Sequence, residues 1–335
     1  MKDAAPKASR APIALTMGDP SGIGPELSAQ IWLRRNPSLP VFFMIADPDL
    51  MARFVPVMTI DHPAQAFEHF PTALPVLAER LATDAIAGRP ATENGAAIIN
   101  AIRRAVEFAL NGTVSAIVTN PINKAGLYAT GFEFPGHTEY LGHLTNSSRA
   151  VMMLAIPGLR VIPATIHIPV ARVSEALSTE MLIETASIVA RSLQVDFGIP
   201  RPRLVMAGLN PHAGESGTIG LEDREIILPA IQALLSRGID ISGPAPADSL
   251  FHADAREQYD AAICQFHDQA LIPIKTLDFY GGVNVTLGLP VIRTSPDHGT
   301  AYDIAGQLTA NDQSLRAAIH MASEMASNRE RHAQQ

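Results

Sequence analysis

The chain of 335 residues has a single cysteine, Cys264, and no apolar run that approaches the roughly 18 residues of a membrane helix. One thiol excludes an intrachain disulfide framework and a zinc site built from cysteines. The N-terminal stretch MKDAAPKASRAP is basic but lacks the apolar segment of a secretory signal. We therefore expect a cytoplasmic protein with no membrane contact, in which residues 1–11 form a flexible leader.

Positive charge is also scarce, because 25 Lys and Arg stand against 33 Asp and Glu and the net charge is -8. A nucleic-acid-binding protein normally has a basic footprint, so no nucleic-acid partner is expected. Apolar residues make up 47% of the chain and charged residues 17%, which excludes a disordered chain. At about 150 residues per domain, the length predicts two domains or one large split domain.

Short apolar runs alternate with stretches of helical periodicity, and this alternation predicts an α/β protein with a largely parallel sheet. The predicted strands are 13–17, 41–45, 116–118, 150–155, 160–166, 203–207 and 261–265. The predicted helices are 96–110, 181–193, 224–237 and 314–326.

Three histidines follow the ends of apolar runs. They are His167 in RVIPATIHIPV, His212 in RLVMAGLNPHAGE and His267 in YDAAICQFHDQ. In an open parallel sheet, ligands bind beyond the carboxyl ends of the strands, where three imidazoles from separate strands can meet. Such a set suits a divalent metal with one open position; zinc fits best, and cobalt, magnesium or manganese also fits. The alternative is that each histidine is a hydrogen-bonded strand-end residue.

Two polar loops follow early strands. GDPSGIGPE, residues 18–26, departs from the G-x-G-x-x-G dinucleotide pattern, so it is either a ligand loop or an ordinary strand-to-helix turn with Pro25 near the first helical position. TNPINKAG carries Lys124, and the following FPGHTEYLG offers His137 and Thr138 to an oxyanion or hydroxyl. The alternative for His137 is a turn or capping residue.

The stretch from 267 to 306 is the richest in polar and charged groups. Lys275, Asn284 and Arg293 form a candidate anion site, since Arg binds phosphate bidentately and Lys acts as a point charge. The alternative is a surface loop of ion pairs. Cys264 lies within an apolar run, which favours a buried, inert thiol over a nucleophile. The chain has no G-x-S-x-G elbow after a strand, so serine hydrolase chemistry has little support.

Eight segments in order resemble the 4-hydroxythreonine-4-phosphate dehydrogenase family of vitamin B6 biosynthesis. They are TMGDPSGIGPE, TNPINK, PGHTEYLG, GLNPHAGE, PADSLF, FHDQALIPIK, GVNVTLGLP and RTSPDHGTAYDIAG, and the resemblance runs from about Ile13 to Ala310. HGTAYDIAG is also similar to the adenosine-binding loop of isopropylmalate and isocitrate dehydrogenases, which would explain a dinucleotide enzyme without the glycine fingerprint.

The resemblance implies a two-domain α/β/α fold like that of isopropylmalate dehydrogenase, with a mostly parallel central sheet and the active site in the interdomain cleft. It implies a cofactor-binding domain of residues 12–115 plus 245–328, and a domain for substrate, metal and dimerisation at 116–244. It also implies a homodimer with a shared active site.

The implied reaction is the NAD- or NADP-dependent oxidation of 4-phosphohydroxy-L-threonine to 2-amino-3-oxo-4-phosphonooxybutanoate, which loses CO2 to give 3-amino-2-oxopropyl phosphate. The implied metal, one Zn, Mg or Co ion per site, is held by His167, His212 and His267 with ligands from both subunits. The implied substrate-binding residues are His137, Thr138, Lys275, Asn284 and Arg293. The candidate cofactor contacts are His298, Gly299, Thr300 and Asp303. The candidate catalytic residues are Asp248, His137 and Lys275.

Three other functions remain open at this stage. Relatives with the same motifs oxidise threonate or erythronate 4-phosphate, or a cyclic dihydrodiol carboxylate. A metal- and anion-binding protein without redox chemistry and a metallohydrolase are the alternatives outside this enzyme class.

Overall fold

The computed structural model describes residues 11–128, 131–134 and 136–334, so residues 1–10 of the expected leader lie outside the described residues. The chain divides into two compact units. Unit 1 comprises the residues up to Ala150 and those from Leu289 onward, and unit 2 is Val151–Gly288.

The strands are numbered in chain order. They are β1 (Ile13–Thr16), β2 (Phe42–Ala46), β3 (Val57–Ile60), β4 (Leu74–Ala78), β5 (Ala116–Thr119), β6 (Val151–Ile156), β7 (Leu159–Pro163), β8 (Leu204–Ala207), β9 (Ile241–Ala245), β10 (Ala261–Cys264), β11 (Val283–Leu287) and β12 (Arg293–Pro296).

The helices are numbered in the same way. They are α1 (Gly24–Leu33), α2 (Pro48–Met51), α3 (Ala66–His69), α4 (Gly95–Leu110), α5 (Lys124–Tyr128), α6 (His137–Leu144), α7 (Val173–Ala176), α8 (Thr179–Val195), α9 (Leu228–Ser236), α10 (Ala253–Arg256), α11 (His267–Leu277) and α12 (Gln313–Ala333).

The sheet strands of unit 1 follow the order β3-β4-β2-β1-β5-β12, and these neighbours pair in parallel. Every residue of β1, β2 and β5 is buried. Parallel strands covered on both faces read as continuous apolar runs, which explains why IALT, FFMIA and AIVT could be recognised in the sequence. The expected α/β class is confirmed.

The strands of unit 2 follow the order β11-β6-β7-β10-β8-β9. β6 pairs antiparallel with both β7 and β11, whereas β7, β10, β8 and β9 run parallel to one another. The carboxyl ends of β7, β8 and β10 therefore lie on the same edge of the sheet. Cys264 is fully buried in the core of this unit, and burial raises the pKa of its thiol, as expected for an inert cysteine.

The structure differs from the sequence-based expectation in two helices. The helix expected at 224–237 begins with a wider π-helical turn, Asp223–Ile227, before α9. The segment that begins at His267, for which no helix was predicted, is the helix α11 with Pro273 inside it. Its apolar positions Ala270, Leu271 and Ile274 recur at helical spacing and pack into the core of unit 2, so the tertiary environment outweighs the proline.

Unit 1 is made of two separate segments of the chain. Residues 116–150 belong to unit 1 because β5 pairs with β1 and β12. Residues 245–288 belong to unit 2 because β10 pairs with β7 and β8 and β11 pairs with β6. No described helix is long and apolar enough to cross a bilayer.

Candidate active site

In unit 1, His137 stands at the start of α6, directly after Gly136, whose backbone is extended. The His137 side chain is half-buried, and its Nε2 atom is fully buried with no hydrogen-bond partner among the described residues. A buried polar atom without a partner costs free energy unless a ligand supplies one. Thr138 follows on the same first turn and is also half-buried. This helix start therefore offers polar groups that a ligand can satisfy.

Arg293, the first residue of β12, is 3% exposed. Its Nε and Nη2 atoms donate to Oγ1 of Thr119 at 3.2 and 2.6 Å. Thr119 ends the neighbouring strand β5, so the parallel pairing of β5 with β12 holds the guanidinium in place. Burial lowers the pKa of Arg293 to about 9. A bound anion would offset this cost, because a nearby opposite charge favours the charged form.

The pKa of His137 is held well below its usual value of 6.5. Burial is the largest cause, followed by the positive charges of Arg293 and Lys124. His137 is therefore a neutral imidazole at pH 7. Lys124, which opens α5, is exposed, and its Nζ lies 3.5 Å from the position that a Cβ on Gly136 would occupy. The sequence analysis named Lys124 but gave it no role. The scarcity of lysine in this chain was the one feature that could have drawn attention to it.

The candidate cofactor residues His298, Gly299, Thr300 and Asp303 lie in one irregular segment of unit 1. The loop of residues 18–26 supports this segment. The amide of Ile23 donates to the carbonyl of Thr300 at 3.0 Å, and the hydroxyl of Tyr302 donates to Asp19 Oδ2 at 2.7 Å. Gly299 is exposed, and no described atom comes within 4 Å of the place where its Cβ would be, so its backbone is open to a ligand.

The loop of residues 18–26 can approach Thr300 this closely only because residue 22 is a glycine. A Cβ on Gly22 would lie 2.8 Å from the carbonyl oxygen of Thr300, which is closer than real Cβ atoms come. Glu26, at the start of α1, accepts a hydrogen bond from the amide of Gly306 at 2.7 Å. The loop of residues 18–26 thus contacts the candidate cofactor segment directly, which favours its role in a ligand site over an isolated turn.

In unit 2, the rings of His167 and His267 have centroids 5.9 Å apart. Two imidazoles that bind one zinc ion through nitrogen at a tetrahedral angle have centroids about 5 Å apart, so a small adjustment suffices. Nδ1 of His267 lies 3.0 Å from Asp268 Oδ1. A carboxylate at Nδ1 holds the imidazole with Nε2 free, which is the arrangement of many metal-ligating histidines. Sequence reasoning missed Asp268, although the His-Asp pair is visible in the chain.

His212 lies in an unusual turn. Residues 212–216 all have positive φ, from 41° to 75°, and only Gly214 among them is a glycine. Left-handed conformation costs about 1–2 kcal/mol per non-glycine residue, so surrounding contacts must compensate for it. His167 also has a positive φ, of 28°. Strained backbone of this kind is typical of functional sites.

His212 and Asp248 line a cavity of about 500 Å³ in unit 2, together with Asn210, Phe266 and Asp268. Asp248 is exposed. This cavity is large enough for a small organic ligand, and it combines apolar walls with convergent polar groups. The structure therefore brings Asp248 together with one of the three candidate metal ligands.

Lys275 and Asn284 also belong to unit 2. Lys275 is in the last turn of α11, eight residues or about 12 Å after His267, and its Nζ lies 5.3 Å from the ring centroid of Phe279. Asn284 lies on β11, and its buried Oδ1 has no hydrogen-bond partner within the described part of the chain. Both side chains are half-buried.

Among the described residues, His167, His212 and His267 do not form a complete metal site. Across residues 11–128, 131–134 and 136–334, no group of three His, Cys, Asp or Glu side chains could hold a metal. The paired rings of His167 and His267 supply two nitrogen donors of the kind that a divalent metal takes, and the carboxylate of Asp268 lies against Nδ1 of His267. The candidate site thus has two of its three expected ligands in contact.

Ionisable and amide side chains that follow parallel strands, beside a mixed apolar and polar cavity, define an α/β enzyme. Residues 39–322 match the family of pyridoxal phosphate biosynthetic protein PdxA. A 4-hydroxythreonine-4-phosphate dehydrogenase from Caulobacter vibrioides is 48% identical over 95% of this chain and 98% of its own length. One from Methylorubrum extorquens is 50% identical over 94% of each chain. The chain belongs to the PdxA family.

Solved structures agree with this assignment. The 4-hydroxythreonine-4-phosphate dehydrogenase from Klebsiella pneumoniae superimposes with a TM-score of 0.86 at 37% identity, covering 94% of this chain and 99% of that one. A terephthalate 1,2-cis-dihydrodiol dehydrogenase from Burkholderia xenovorans has a TM-score of 0.65 at 25% identity, covering 94% of this chain and 98% of that one.

Proposed function

We propose that this protein catalyses the NAD- or NADP-dependent oxidation of 4-phosphohydroxy-L-threonine to 2-amino-3-oxo-4-phosphonooxybutanoate, which decarboxylates to 3-amino-2-oxopropyl phosphate. The observation that carries the proposal is the buried, cationic Arg293 beside the neutral His137 in a chain of the PdxA family. A cation in this setting is suited to the phosphate or carboxylate of such a substrate.

Substrate binding would use His137, Thr138, Lys275, Asn284 and Arg293. Arg293 presents a planar guanidinium that is already oriented by Thr119, so less conformational entropy is lost when an anion binds. The buried Nε2 of His137 and Oδ1 of Asn284 would each gain the hydrogen-bond partner that is absent among the described residues.

Proton transfer would fall to Asp248, His137 or Lys275. The lowered pKa of His137 favours a neutral hydrogen-bonding role over the role of a strong base. Asp248 shares its cavity with His212, which is consistent with a carboxylate base near a metal ligand. We therefore assign the base to Asp248 within this proposal.

NAD or NADP bound at His298, Gly299, Thr300 and Asp303 would accept the hydride, and one Zn, Mg or Co ion held by His167, His212 and His267 would supply Lewis acidity at the substrate hydroxyl. The proposal includes a homodimer in which two chains share the metal ligands, as the family resemblance implies; in the described part of one chain, His167 and His267 lie in contact. A cytoplasmic location remains an expectation from the sequence.

The test is a substrate comparison followed at the nicotinamide absorbance. The purified protein is assayed with 4-phosphohydroxy-L-threonine and with erythronate 4-phosphate, using NAD and NADP, before and after treatment with a chelator. The proposal expects the highest kcat/KM with the first substrate, and loss of turnover on chelation that added metal restores. Turnover of 4-phosphohydroxy-L-threonine that is unaffected by metal removal would contradict the metal assignment.

A second candidate is oxidation of a cyclic dihydrodiol carboxylate, which the likeness to the terephthalate dihydrodiol dehydrogenase favours. A third arm of the same assay, with that dihydrodiol, separates the two. The Arg293→Met variant adds a check, because loss of this cation should penalise a phosphorylated acid more than a substrate without phosphate.

A further inference from the structure

The three candidate metal-binding histidines of unit 2 follow strand ends that are connected by the side chains of two glutamines and a threonine. Nε2 of Gln265 donates to the carbonyl of Ala207 at 2.6 Å, and Nε2 of Gln269 donates to the carbonyl of Gly208 at 2.7 Å. Oε1 of Gln269 accepts from the amide of Gln265 at 2.7 Å. Both glutamines thus connect the end of β10 with the end of β8.

A threonine extends the same network to the end of β7. Oγ1 of Thr165 donates to the carbonyl of Gln265 at 2.7 Å, and the Thr165 amide donates to the same oxygen at 3.2 Å. Gln265 is completely buried and Thr165 is 7% exposed. These contacts are shielded from water, so they are stronger and more costly to break than exposed ones.

Each tied segment leads within five residues to a candidate ligand. His167 is two residues after Thr165, His267 is two residues after Gln265, and His212 is four residues after Gly208. Between Gly208 and His212, the buried carboxylate of Asp223 accepts from the amides of Leu209 and Asn210 at 2.8 and 3.1 Å, which extends the support toward the strained turn.

We propose that Thr165, Gln265 and Gln269 form an amide clamp that positions His167, His212 and His267 for the divalent metal. The inference rests on the proposed metal-dependent function. The clamp acts through the backbone of the loops, so we treat its members as positioning residues; Gln269 also lines the cavity beside His212 and Asp248. Its purpose is to fix the three loops that carry the histidines, so that each histidine is held ready to meet the other ligands of an ion shared with the partner chain; a ligand on an independently moving loop binds the ion more weakly.

The hydrogen-bond directions in the clamp make Gln269→Glu an informative test of its role. Both glutamine nitrogens donate to main-chain carbonyls, which cannot donate in return. Gln269→Glu keeps the oxygen that accepts from Gln265 and replaces the donor to Gly208 by a second acceptor. The experiment titrates Co²⁺ into the metal-free, full-length protein and follows the dissociation constant by calorimetry and the visible Co²⁺ spectrum.

The expected result is a Co²⁺ dissociation constant about 10- to 100-fold higher in Gln269→Glu, with an altered visible spectrum. Gln194→Glu is the matched control, since Gln194 donates to a carbonyl elsewhere in unit 2, that of Pro200 at 3.4 Å; it should bind Co²⁺ as the parent does. A purely structural role predicts a lower melting temperature but parental Co²⁺ affinity and spectrum in the folded variant, and that outcome would overturn the inference.

If Gln269→Glu does not fold, Thr165→Val and Thr165→Ser test whether the clamp affects Co²⁺ affinity. Valine removes only the hydroxyl donor to Gln265, so Co²⁺ affinity should fall, while serine retains the hydroxyl and should restore it. Equal affinity in all three proteins would refute the clamp. A parent protein that binds no Co²⁺ at all would instead remove the metal from the proposed function, and the clamp with it.

Discussion

The low pKa of His137 can be tested directly and separately from catalysis. Because burial, Arg293 and Lys124 all disfavour the imidazolium, the His137 ring should titrate well below 6.5. Lys124→Met removes one of the two charges and should raise this pKa, yet leave it below 6.5, since burial is the larger cause. Each unit of pKa change corresponds to about 1.4 kcal/mol between the two protonation states.

The measurement is an NMR titration of the histidine ring protons, in which the resonance of His137 is the one that disappears in His137→Gln. Arg53→Met is a matched control, because Arg53 pairs with Asp84 at 3.3 Å and its charge is not a cause of the His137 shift. Inorganic phosphate should raise the His137 pKa in the parent, since an anion favours the charged imidazole. A parental midpoint at or above 6.5 would refute the electrostatic description.

The same shift predicts the sign of a pH effect on stability. As pH falls below 6.5, the unfolded chain binds a proton at residue 137 before the folded chain does. Folding stability should therefore decrease with falling pH, by up to about 1.4 kcal/mol per pH unit from this residue, until the folded pKa is reached. His137→Gln should lack this contribution, so the free energy of unfolding of the two proteins should have different slopes with pH below 6.5 and the same slope well above pH 7.

Three further substitutions follow from single contacts. Gly22→Ala places a Cβ against a backbone oxygen, so it should reduce the free energy of unfolding by about 1–3 kcal/mol and raise the KM for the nicotinamide cofactor. Gly142→Ala is the control: no atom lies near the added Cβ in this helix, so the melting temperature should rise. Arg293→Met should lower kcat/KM for the phosphorylated substrate by about 10- to 100-fold, because charge-assisted hydrogen bonds are lost. Arg103 is exposed, so Arg103→Met should leave kcat/KM unchanged. A kcat/KM of Arg293→Met equal to that of the parent would contradict the anion site. Tyr302→Phe removes a hydrogen bond to a buried carboxylate and should reduce the free energy of unfolding by about 1 kcal/mol, measured by urea denaturation.

Elements with an unambiguous apolar pattern were predictable from the chain. β1, β2 and β5 are short runs buried on both faces, and α4 has buried residues at helical spacing from Ala97 to Val106. β9 was not predicted, because ISGPA contains glycine and proline and is partly exposed at its place next to β8. Its strand conformation comes from pairing with β8, a contact between residues far apart in sequence.

In the candidate site, too, some features were predictable from the chain and others depend on the tertiary structure. The spacing of His167, His212 and His267 after apolar runs predicted strand-end positions, since a strand exits its sheet at a fixed edge. The contact between the rings of His167 and His267 depends on β7 and β10 being neighbours, which chain order does not specify.

The amino-acid sequence by itself determined the α/β class, the family and the chemical character of the site, because apolar periodicity and ordered motifs are local properties of the chain. Only the tertiary structure decided that burial and two cations hold His137 neutral, that Arg293 is buried against Thr119, and that two glutamines and a threonine connect three strand ends. Burial, charge proximity and strand order are set by residues distant in sequence, and they become defined only when the sheets form.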